Sequence, residues 1–589
     1  MNRPIHPQDE VLAHSLEDPE AFWGHQAEHL HWHKQPDAVL ARMPKTLEKS
    51  GVTHDHWEWF PGGEISTCYN CLDRHVLAGH GHHPAIIYDS PASAWKPPRT
   101  LVWQREQLLW QPVRQDRGER VWNELVSSAR ARGLSPAECV PVGSNEGVYI
   151  IYTSGTTGSP KGVVRDAAGH AVGLHLSISY LFGIHGPGDV MACFSDIGWV
   201  VSHSYTLYGP LLTGAASVLY EGKPVGTPDA GAFWRMVEEY KVNAMFTAPT
   251  ALRAIRKADP ENKFLAAVGE RGGLKTLRAL FLAGERSEPA IVSLYQDLLK
   301  RYASNDTLVI DNWWSSETGS PISGIALVPH AGKHRRTDIK DHPPLEIKPG
   351  SAGKPMPGFD VRVVDDDGRE LPRGSMGNIV FATPLAPTAF RTLWEDEDRF
   401  YRGYMKRFGG RWLDTGDAGV IDEHGYVHIM SRTDDIINVA AHRLSTGTLE
   451  QAVTSHPLVT EACVVGIPDA LKGQLPFALV TTSADVPDAQ LLAEVQQLVR
   501  GQIGGIATLG GLIQASSGIH LIPKTRSGKT LRRVVRDLLE NAAAGEFDRE
   551  VAVPSTIEDP AAVEVAREKI REYFVKRAEG HAAGLKAKL

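Results

Sequence analysis

Between residues 150 and 430, short apolar runs alternate with amphipathic stretches. This alternation constrains the fold more than any other feature of the chain. The runs VYIIYTS, VMACFS, ASVLY, NAMFTA, ALFLAG and TLVIDNWW are rich in β-branched and aromatic residues and bounded by turn residues, which predicts buried strands. Segments between them, such as AGAFWRMVEEYKV, have helical spacing. Strands alternating with helices pack as α/β layers. Further on, GFDVRVVDDDGREL and GNIVFATP predict hairpin strands, with Asp-Gly at a turn. A smaller unit starts near residue 431, where TLEQAVTSH predicts a helix, ACVVGI a strand and DAQLLAEVQQLVRGQIG a helix. Asp559-Pro560 predicts a helix start with Pro at the first position, leading into the amphipathic AAVEVAREKIREYFVKRA. The fold class expected is α/β: a large N-terminal region of layered α/β sheets plus a β-rich subdomain, then a smaller α+β C-terminal domain.

The chain's 589 residues exceed one ordinary domain and suit about three. Hydrophobic residues at 42% and charged residues at 22% fit a folded globular chain rather than a disordered or fibrous one. A net charge of -8 is small for this length and leaves no electrostatic footprint for nucleic acid, although local basic patches for phosphate remain open. No apolar run reaches the length of about 18 residues that crosses a bilayer. The start, MNRPIHPQDEVLAHSLED, reads neither as a secretory signal nor as a transit peptide.

Five cysteines in so long a chain suit a reducing compartment. Cys68 and Cys71 form a C-x-x-C pair, but no second ligand pair stands at zinc-site spacing. His25, His29, His31 and His33, and again His80, His82 and His83, are irregularly spaced and read as surface histidines. The last three residues, Ala587-Lys588-Leu589, are close to the S-K-L peroxisomal address, which an import receptor reads. A solvated basic tail is the alternative, so the expected location is the peroxisomal matrix or the cytoplasm.

The stretch Tyr152-Thr153-Ser154-Gly155-Thr156-Thr157-Gly158-Ser159-Pro160-Lys161-Gly162 follows an apolar strand. Small residues let backbone N–H groups approach phosphate oxygens, hydroxyls add donors, and Lys161 adds positive charge. It is not a Walker A loop, and taken alone it could be only a flexible turn. Five more segments follow in order: Asn312-Trp313-Trp314-Ser315-Ser316-Glu317-Thr318-Gly319, Asp414-Thr415-Gly416-Asp417, Ser431-Arg432-Thr433-Asp434-Asp435-Ile436-Ile437-Asn438, Ala441-His442-Arg443 and Pro523-Lys524-Thr525-Arg526-Ser527-Gly528-Lys529. Together the six resemble the signatures of the acyl-adenylate-forming (AMP-binding) superfamily. Ala21-Phe22-Trp23, Cys68-Tyr69-Asn70-Cys71-Leu72-Asp73-Arg74-His75, Asp196-Ile197-Gly198-Trp199-Val200 and His203-Ser204-Tyr205 narrow the likeness to its acetyl- and propionyl-CoA synthetase branch.

The resemblance implies an ATP-dependent short-chain fatty acid:CoA ligase. A carboxylate attacks the α-phosphorus of ATP to give acyl-adenylate and pyrophosphate, and the CoA thiol then displaces AMP. Such chemistry rests on positioning and charge stabilisation. By resemblance, Thr153, Ser154, Gly155, Thr156, Thr157, Gly158 and Lys161 would hold the β- and γ-phosphates. Glu317 would bind Mg2+, a hard cation suited to carboxylate oxygen. Ser316 would contact the α-phosphate, and Asp417, with Arg432 nearby, the ribose hydroxyls. Arg443 would take phosphate with its planar fork. Gly284, Glu285 and the Asp311, Asn312, Trp313 segment would frame adenine. Lys529 would bridge carboxylate and α-phosphate, the C-terminal domain would act as a mobile lid hinged at Asp434, and Arg500 would contact CoA phosphate. Taken singly, Asp417, Arg432 and Arg443 could instead be a salt-bridge network.

The implied domains are 1–100, an N-terminal segment of the acetyl-CoA synthetase type; 101–431, the AMP-binding core; 432–545, the lid; and 546–589, a C-terminal helix and tail. Trp314 matches the residue that closes the acyl pocket in this branch, with Val200, Val201 and Ala283 as further lining. Acetate-selective relatives carry Thr at the Val201 position and Val at the Ala283 position. The room left by Ala283 implies propionate over acetate, at about 1–3 kcal/mol per methylene. Alternatively, Ala283 accommodates a neighbouring side chain.

The chain departs from the family at one large point. Pro98-Arg99-Thr100 is followed at once by Leu101-Val102-Trp103-Gln104-Arg105. On the order of 100 residues of the family pattern, several β-α units, have no counterpart here. Their loss would uncover apolar sheet surface, lower stability and weaken CoA use. Smaller departures are Arg286 after Gly-Glu, Ser202 before His203 and Ala441 before His442. Two other readings stand beside the ligase. One is transfer of the acyl group to an acceptor other than CoA, disfavoured because no carrier domain follows Leu589. The other is a catalytically impaired isoform acting only as a nucleotide-binding or regulatory protein.

Overall fold

The computed structural model describes residues 5–89, 122–134, 137–153, 160–284, 287, 289–328, 343–440, 442–516, 518–525, 530–554 and 557–586, with backbone alone at 122–125, 434 and 580–586. The chain forms two compact units. The first comprises Met1–Ser154, Pro160–Asp360 and Thr383–Arg402, and the second Gly155–Ser159, Val361–Ala382 and Gly403–Leu589.

The first unit is organised by a six-stranded sheet. Its strands are β1 (Ile86–Asp89), β4 (Val190–Cys193), β5 (Ala216–Tyr220), β6 (Ala244–Thr247), β7 (Ala279–Leu282) and β8 (Leu308–Asp311). All pairs are parallel, in the order β8-β7-β6-β4-β5-β1. Successive side chains of a strand point to opposite faces. Leu280 and Leu282 accordingly join a core with Phe233, Trp234, Leu252 and Tyr295, from helices Ala232–Tyr240, Pro249–Ala258 and Pro289–Tyr302. Phe281 and Phe246 point to the other face, against Phe182. Five of the six predicted strands thus fall in this sheet.

The sixth does not. VYIIYTS forms β2 (Gly147–Thr153), which pairs antiparallel with β3 (Lys161–Asp166) in a separate two-stranded ribbon. Only Ile151 of β2 is buried, and Tyr152 is 63% exposed. The expectation of a buried strand fails because a ribbon with one partner leaves part of its surface to solvent. Apolar content alone does not reveal how many neighbours a strand will have.

The helix Ala167–Tyr180 follows β3 and is apolar nearly all round, so it is buried on almost every side. A Cβ at Gly169 would lie 2.6 Å from Pro387 O, and one at Gly173 2.4 Å from Thr388 Cγ2. These two glycines let the helix sit directly on the segment that leads to Phe390.

The second unit holds two sheets. β9 (Val361–Val364), β10 (Gly377–Phe381), β11 (Leu413–Ile421) and β12 (Val427–Arg432) form an antiparallel sheet in that order. The predicted hairpin is β9/β10, and Gly368, at φ +78, turns the chain after Asp365. The other sheet contains β13 (Ile436–Val439), β14 (His442–Ser445), β15 (Val459–Asp469), β16 (Gly473–Thr482) and β17 (Gly511–Ser516), in the order β14-β13-β16-β15 with β17 parallel to β16. Ala478 and Val480 of β16 pack with Leu449, Leu491 and Val495, from helices Thr446–Thr454 and Asp488–Gln502. The alternate residues Phe477 and Leu479 pack with Val535, Leu538, Val563 and Ile570, from helices Arg532–Ala543 and Ala561–Lys586. The last helix begins one residue after Pro560, with Asp559 Oδ1 accepting from Ala561 N at 3.0 Å. No helix among the described residues is long and apolar enough to cross a membrane.

Candidate functional site

In the first unit, the proposed lining residues gather at the C-terminal ends of the parallel strands. The chain leaves β4 toward β5 on one side and leaves β6 toward β7 on the other, while β4 and β6 are neighbours. Ligands of open parallel sheets bind in the crevice at such a switch. Val200 and Val201 follow β4 in the short helix Val200–Ser202 and are buried. Ala283, 3% exposed, and Gly284 follow β7. Gly284 has φ +100 with open space where a Cβ would stand, a backbone that favours glycine. Asp311 ends β8 and is followed by Asn312, whose N–H donates to Leu282 O at 2.8 Å, and by Trp313, which bridges to Ser323. Trp314 packs against Tyr205 and Phe246, at centroid separations of 5.8 and 6.0 Å.

The next turn carries Ser316 and Glu317. The Thr318 hydroxyl donates to Ser315 O at 3.0 Å and accepts from Ser315 N, closing the turn on itself. Ser204 Oγ donates to Gly319 O at 2.6 Å, tying the segment after Val200 and Val201 to the same turn. Thr153 and Lys161 stand opposite each other in the β2/β3 register and so bracket the tip of the ribbon. Lys161 Nζ lies 2.5 Å from Glu317 Oε1, with the side chains 19% and 15% exposed. Ser154, Gly155, Thr156, Thr157, Gly158, Glu285 and Arg286 lie outside the described residues.

Sequence reasoning missed Arg165. It is fully buried on β3, and its guanidinium donates to Glu317 O at 2.8 Å and to Ser316 O. A cation thus holds the backbone of the two residues that the resemblance singles out. Phe390 N–H also donates to Glu317 O, at 2.7 Å. Burial, helped by the Arg165 charge, pushes the neighbouring His170 down to about 3, so that imidazole is neutral near pH 7. The signal in the sequence was the charged pair Arg165-Asp166 between the apolar Val163-Val164 and Ala167-Ala168, in a run otherwise destined for the interior.

In the second unit, Asp414-Thr415-Gly416-Asp417 makes a bulge. Asp414 pairs with Val380 and Asp417 with Ile379, so Thr415 and Gly416 are extra residues on β11. The Thr415 hydroxyl donates to Ile379 O at 2.6 Å and accepts from Asp417 N, and Gly416 takes φ +70. Across the strands Arg432 Nη1 donates to Asp417 Oδ1 at 3.1 Å and to Thr415 O. Arg443 is directed elsewhere, to Asn378 Oδ1 at 3.3 Å and Asp366 Oδ1 at 3.5 Å. Arg407 reaches the same two acceptors at 3.1 Å each. A hydrogen bond from the buried Asn378 amide, helped by the charges of Arg443 and Arg407 and opposed by partial burial, holds Asp366 below the usual carboxylate range. Asn378 and Arg407 were also missed; the sequence gives no signal for them, since both act through a fold-dependent hub.

Asp417 and Arg432 thus form an ion pair, whereas Arg443 belongs to a different cluster. Asp434 lies in the turn Thr433–Asp435, and its side chain is not described. Its neighbour Asp435 accepts from Arg536 at 2.7 Å, while Arg532 pairs with the partly buried Glu450 at 2.6 Å. Arg500 is exposed in the last turn of Asp488–Gln502. Lys524 and Thr530 form an antiparallel bridge around residues 525–529; Lys529 lies outside the described residues, as do Ala441 and Ala587-Lys588-Leu589.

The pattern of the AMP-binding enzyme family matches residues 82–394, that of the acetyl-coenzyme A synthetase N-terminus residues 8–71, and that of the AMP-binding enzyme C-terminal domain residues 448–529. An uncharacterized protein of Pseudomonas aeruginosa is 35% identical over 93% of this chain and 96% of its own length. The human mitochondrial acyl-CoA synthetase short-chain family member 3 is 34% identical over 93% of this chain and 89% of its own. A propionate–CoA ligase of Escherichia coli K12 is 40% identical over 77% of this chain and 68% of its own. The first alignment runs over 658 positions, more than the 589 residues of the chain, so that relative carries residues with no counterpart here. The chain belongs to the AMP-binding enzymes and, within them, to the short-chain acyl-CoA synthetase family: it is an acid–thiol ligase of the AMP-forming class, using ATP and CoA.

Proposed function

We propose that this ligase activates propionate in preference to acetate, with butyrate also within reach. The observation that carries the reading is the set of side chains that follow the strands at the β4/β6 switch. Val200, Val201 and Ala283 are buried there, and Trp314 is wedged against Tyr205 and Phe246. A bulky indole fixed by two aromatic rings supports exclusion of long acyl chains, and the small Ala283 supports room beyond an acetyl methyl. The relative named a propionate–CoA ligase agrees with it.

In this reading Lys161, with the Thr153–Gly158 loop, takes the β- and γ-phosphates. Ser316 faces the α-phosphate, and Gly284, Glu285 and Asp311–Trp313 frame adenine. Asp417 and Arg432 take the ribose, Arg443 phosphate, Arg500 the CoA phosphate, and Lys529 the reacting carboxylate. The donor set suits Mg2+: Glu317 offers a hard carboxylate oxygen beside the cation assigned to phosphate. When bound, Mg2+ would neutralise charge on the phosphates. Arg443 would leave Asn378 and Asp366 to reach phosphate.

Pyrophosphate release by the purified chain with acetate, propionate or butyrate, with and without CoA, tests the assignment beside a Lys529→Ala control. The expected result is lysine-dependent release, fastest with propionate and coupled to thioester. A kcat/KM that favours acetate would refute the pocket argument. A second reading, a nucleotide-binding protein without turnover, is favoured by the residues that the relatives carry and this chain lacks. A thermal shift with an acyl-adenylate analogue but no pyrophosphate release would select it. The peroxisomal reading rests on the tripeptide motif and is tested by import of a fluorescent fusion with and without Ala587-Lys588-Leu589.

A further inference from the structure

The sequence shows no second ligand pair at zinc-site spacing for Cys68, but in space its sulfur lies near Cys139 and Asp73. Cys71 turns inward and is buried. Cys68 stays at the surface, and its sulfur shares a small volume with Cys139 and Asp73. One ligand atom from each of the three lies within 4.8 Å of the others, and Cys139 Sγ is 2.8 Å from Asp73 Oδ2.

The local architecture explains the meeting. The strand Glu64–Ile65 pairs antiparallel with Val142–Gly143, with Ile65 opposite Val142. Cys68 follows this strand pair on one side, in the helix Thr67–Cys71, and Cys139 precedes it on the other, so both lie at the same end of the antiparallel pair. The helix Thr67–Cys71, capped by Ser66 Oγ accepting from Tyr69 N, keeps Cys68 on the outer side, and Asp73 opens the next helical turn. Two residues 71 positions apart in sequence thereby come together.

We propose that Cys68, Cys139 and Asp73 form a binding site for a thiophilic divalent cation of the zinc class. Two thiolates and one carboxylate are a donor set that zinc takes, with Zn–S about 2.3 Å and Zn–O about 2.0 Å. A tetrahedral ion at those bond lengths spaces its two sulfurs by about 3.8 Å, within the separation seen. On binding, each thiol gives its proton to solvent and becomes the ligating thiolate. Three protein ligands at the surface leave a fourth position for water. The ion would tie the helix after residue 66 to the strand that enters at Val142.

The test uses the full chain, reduced, with Co2+ alone as the probe. One Co2+ per chain with an intense near-ultraviolet thiolate-to-metal band is expected, displaced by Zn2+. Cys68→Ser and Cys139→Ser should each abolish the band, and Cys71→Ala should keep it. Because Cys68 and Cys139 are not core residues, unchanged circular dichroism of both variants shows that they fold. As a second readout, Zn2+ should slow alkylation of Cys139 by iodoacetamide in the parent chain and not in Asp73→Asn. The proposal is overturned if the reduced chain shows no thiolate band, or if the band survives in the Cys68→Ser/Cys139→Ser double variant. Loss of the band in Cys71→Ala with retention in Cys139→Ser would overturn it in favour of a C-x-x-C site.

Discussion

Replacing Arg165 with methionine separates a positioning role from a purely structural one. The side chain is fully buried, so a methionine of similar length fills the space while the donors disappear. Glu317 O keeps the N–H of Phe390, at 2.7 Å. Ser316 O loses the guanidinium as its donor. An orphaned buried acceptor costs about 1–3 kcal/mol, and a charge-assisted bond is worth about 1.5–3 kcal/mol. Removing a buried cation returns part of this, because its desolvation cost vanishes too. The net loss of stability is therefore expected at about 1–3 kcal/mol, a modest fall in the thermal midpoint. The larger effect falls on the turn that carries Ser316 and Glu317, where a displacement of about 1 Å in a reacting group costs on the order of 100-fold in rate. Pyrophosphate release at saturating ATP should fall by that order while KM for the carboxylate changes little, and Arg165→Lys, which can restore one donor, should recover part of it. A variant with full turnover and only a lowered midpoint would show that Arg165 serves packing alone.

Three further outcomes follow from particular contacts. Ala283→Val fills the space assigned to the longer acyl chain, so the propionate-to-acetate ratio of kcat/KM should fall by about 10- to 200-fold; an unchanged ratio would place Ala283 outside the pocket. Gly416→Ala forces a φ of +70 onto an L-residue and sets a Cβ 2.4 Å from Arg432 Nη2, so about 1–2 kcal/mol of stability should be lost. KM for ATP should rise with it if the Asp417–Arg432 pair takes ribose. Asp166 is pushed up to about 6 by burial, against the opposing charge of Arg391. Its folded form holds the proton more tightly than the unfolded chain, so its stabilising contribution is full below 3.8 and lost as pH rises through about 6. Asp166→Asn should flatten that loss, worth about 3 kcal/mol, in urea midpoints measured from roughly pH 4 to 8.

The strands of the parallel sheet were legible because a strand buried on both faces must be apolar throughout, and five such runs fall in that sheet. The same rule misread β2, whose apolar run serves a two-stranded ribbon. Apolar length records burial against something, not the number of strand neighbours. The motifs were legible for a different reason: Gly416 and Gly284 occupy backbone conformations that favour glycine, and Thr415 satisfies a bulge that needs a hydroxyl there. Arg165, Asn378 and Arg407 were not found, because Arg165 acts on carbonyls far along the chain, and Asn378 and Arg407 meet Asp366 and Arg443 only in the folded hub. Cys139 was invisible for the same reason, since it comes near Cys68 and Asp73 only because two short strands far apart in the chain, Glu64–Ile65 and Val142–Gly143, pair.

The contact between Lys161 and Glu317 joins these strands of argument. One charge stands at the mouth of a ribbon, and the other on a turn whose backbone is clamped by a buried arginine. The strand that carries Lys161 also carries Arg165, and the two charges meet at 2.5 Å with most of each side chain out of solvent. A pair so far withdrawn from water contributes little net stability, because desolvation offsets attraction, but a lone member would be costly. Each charge therefore neutralises the other when no ligand is bound. In the proposed function their partners differ: phosphate oxygens for the lysine, a divalent cation for the glutamate. A nucleotide with its cation brings both partners at once, so one internal pair is exchanged for two external ones without leaving a charge exposed to the low-dielectric interior. Phosphate without the cation, or cation without the phosphate, would leave one partner uncompensated. Selectivity for the metal–nucleotide complex over either component alone follows from that exchange, and it requires both side chains to be held in place beforehand, which is the part played by the ribbon and by Arg165.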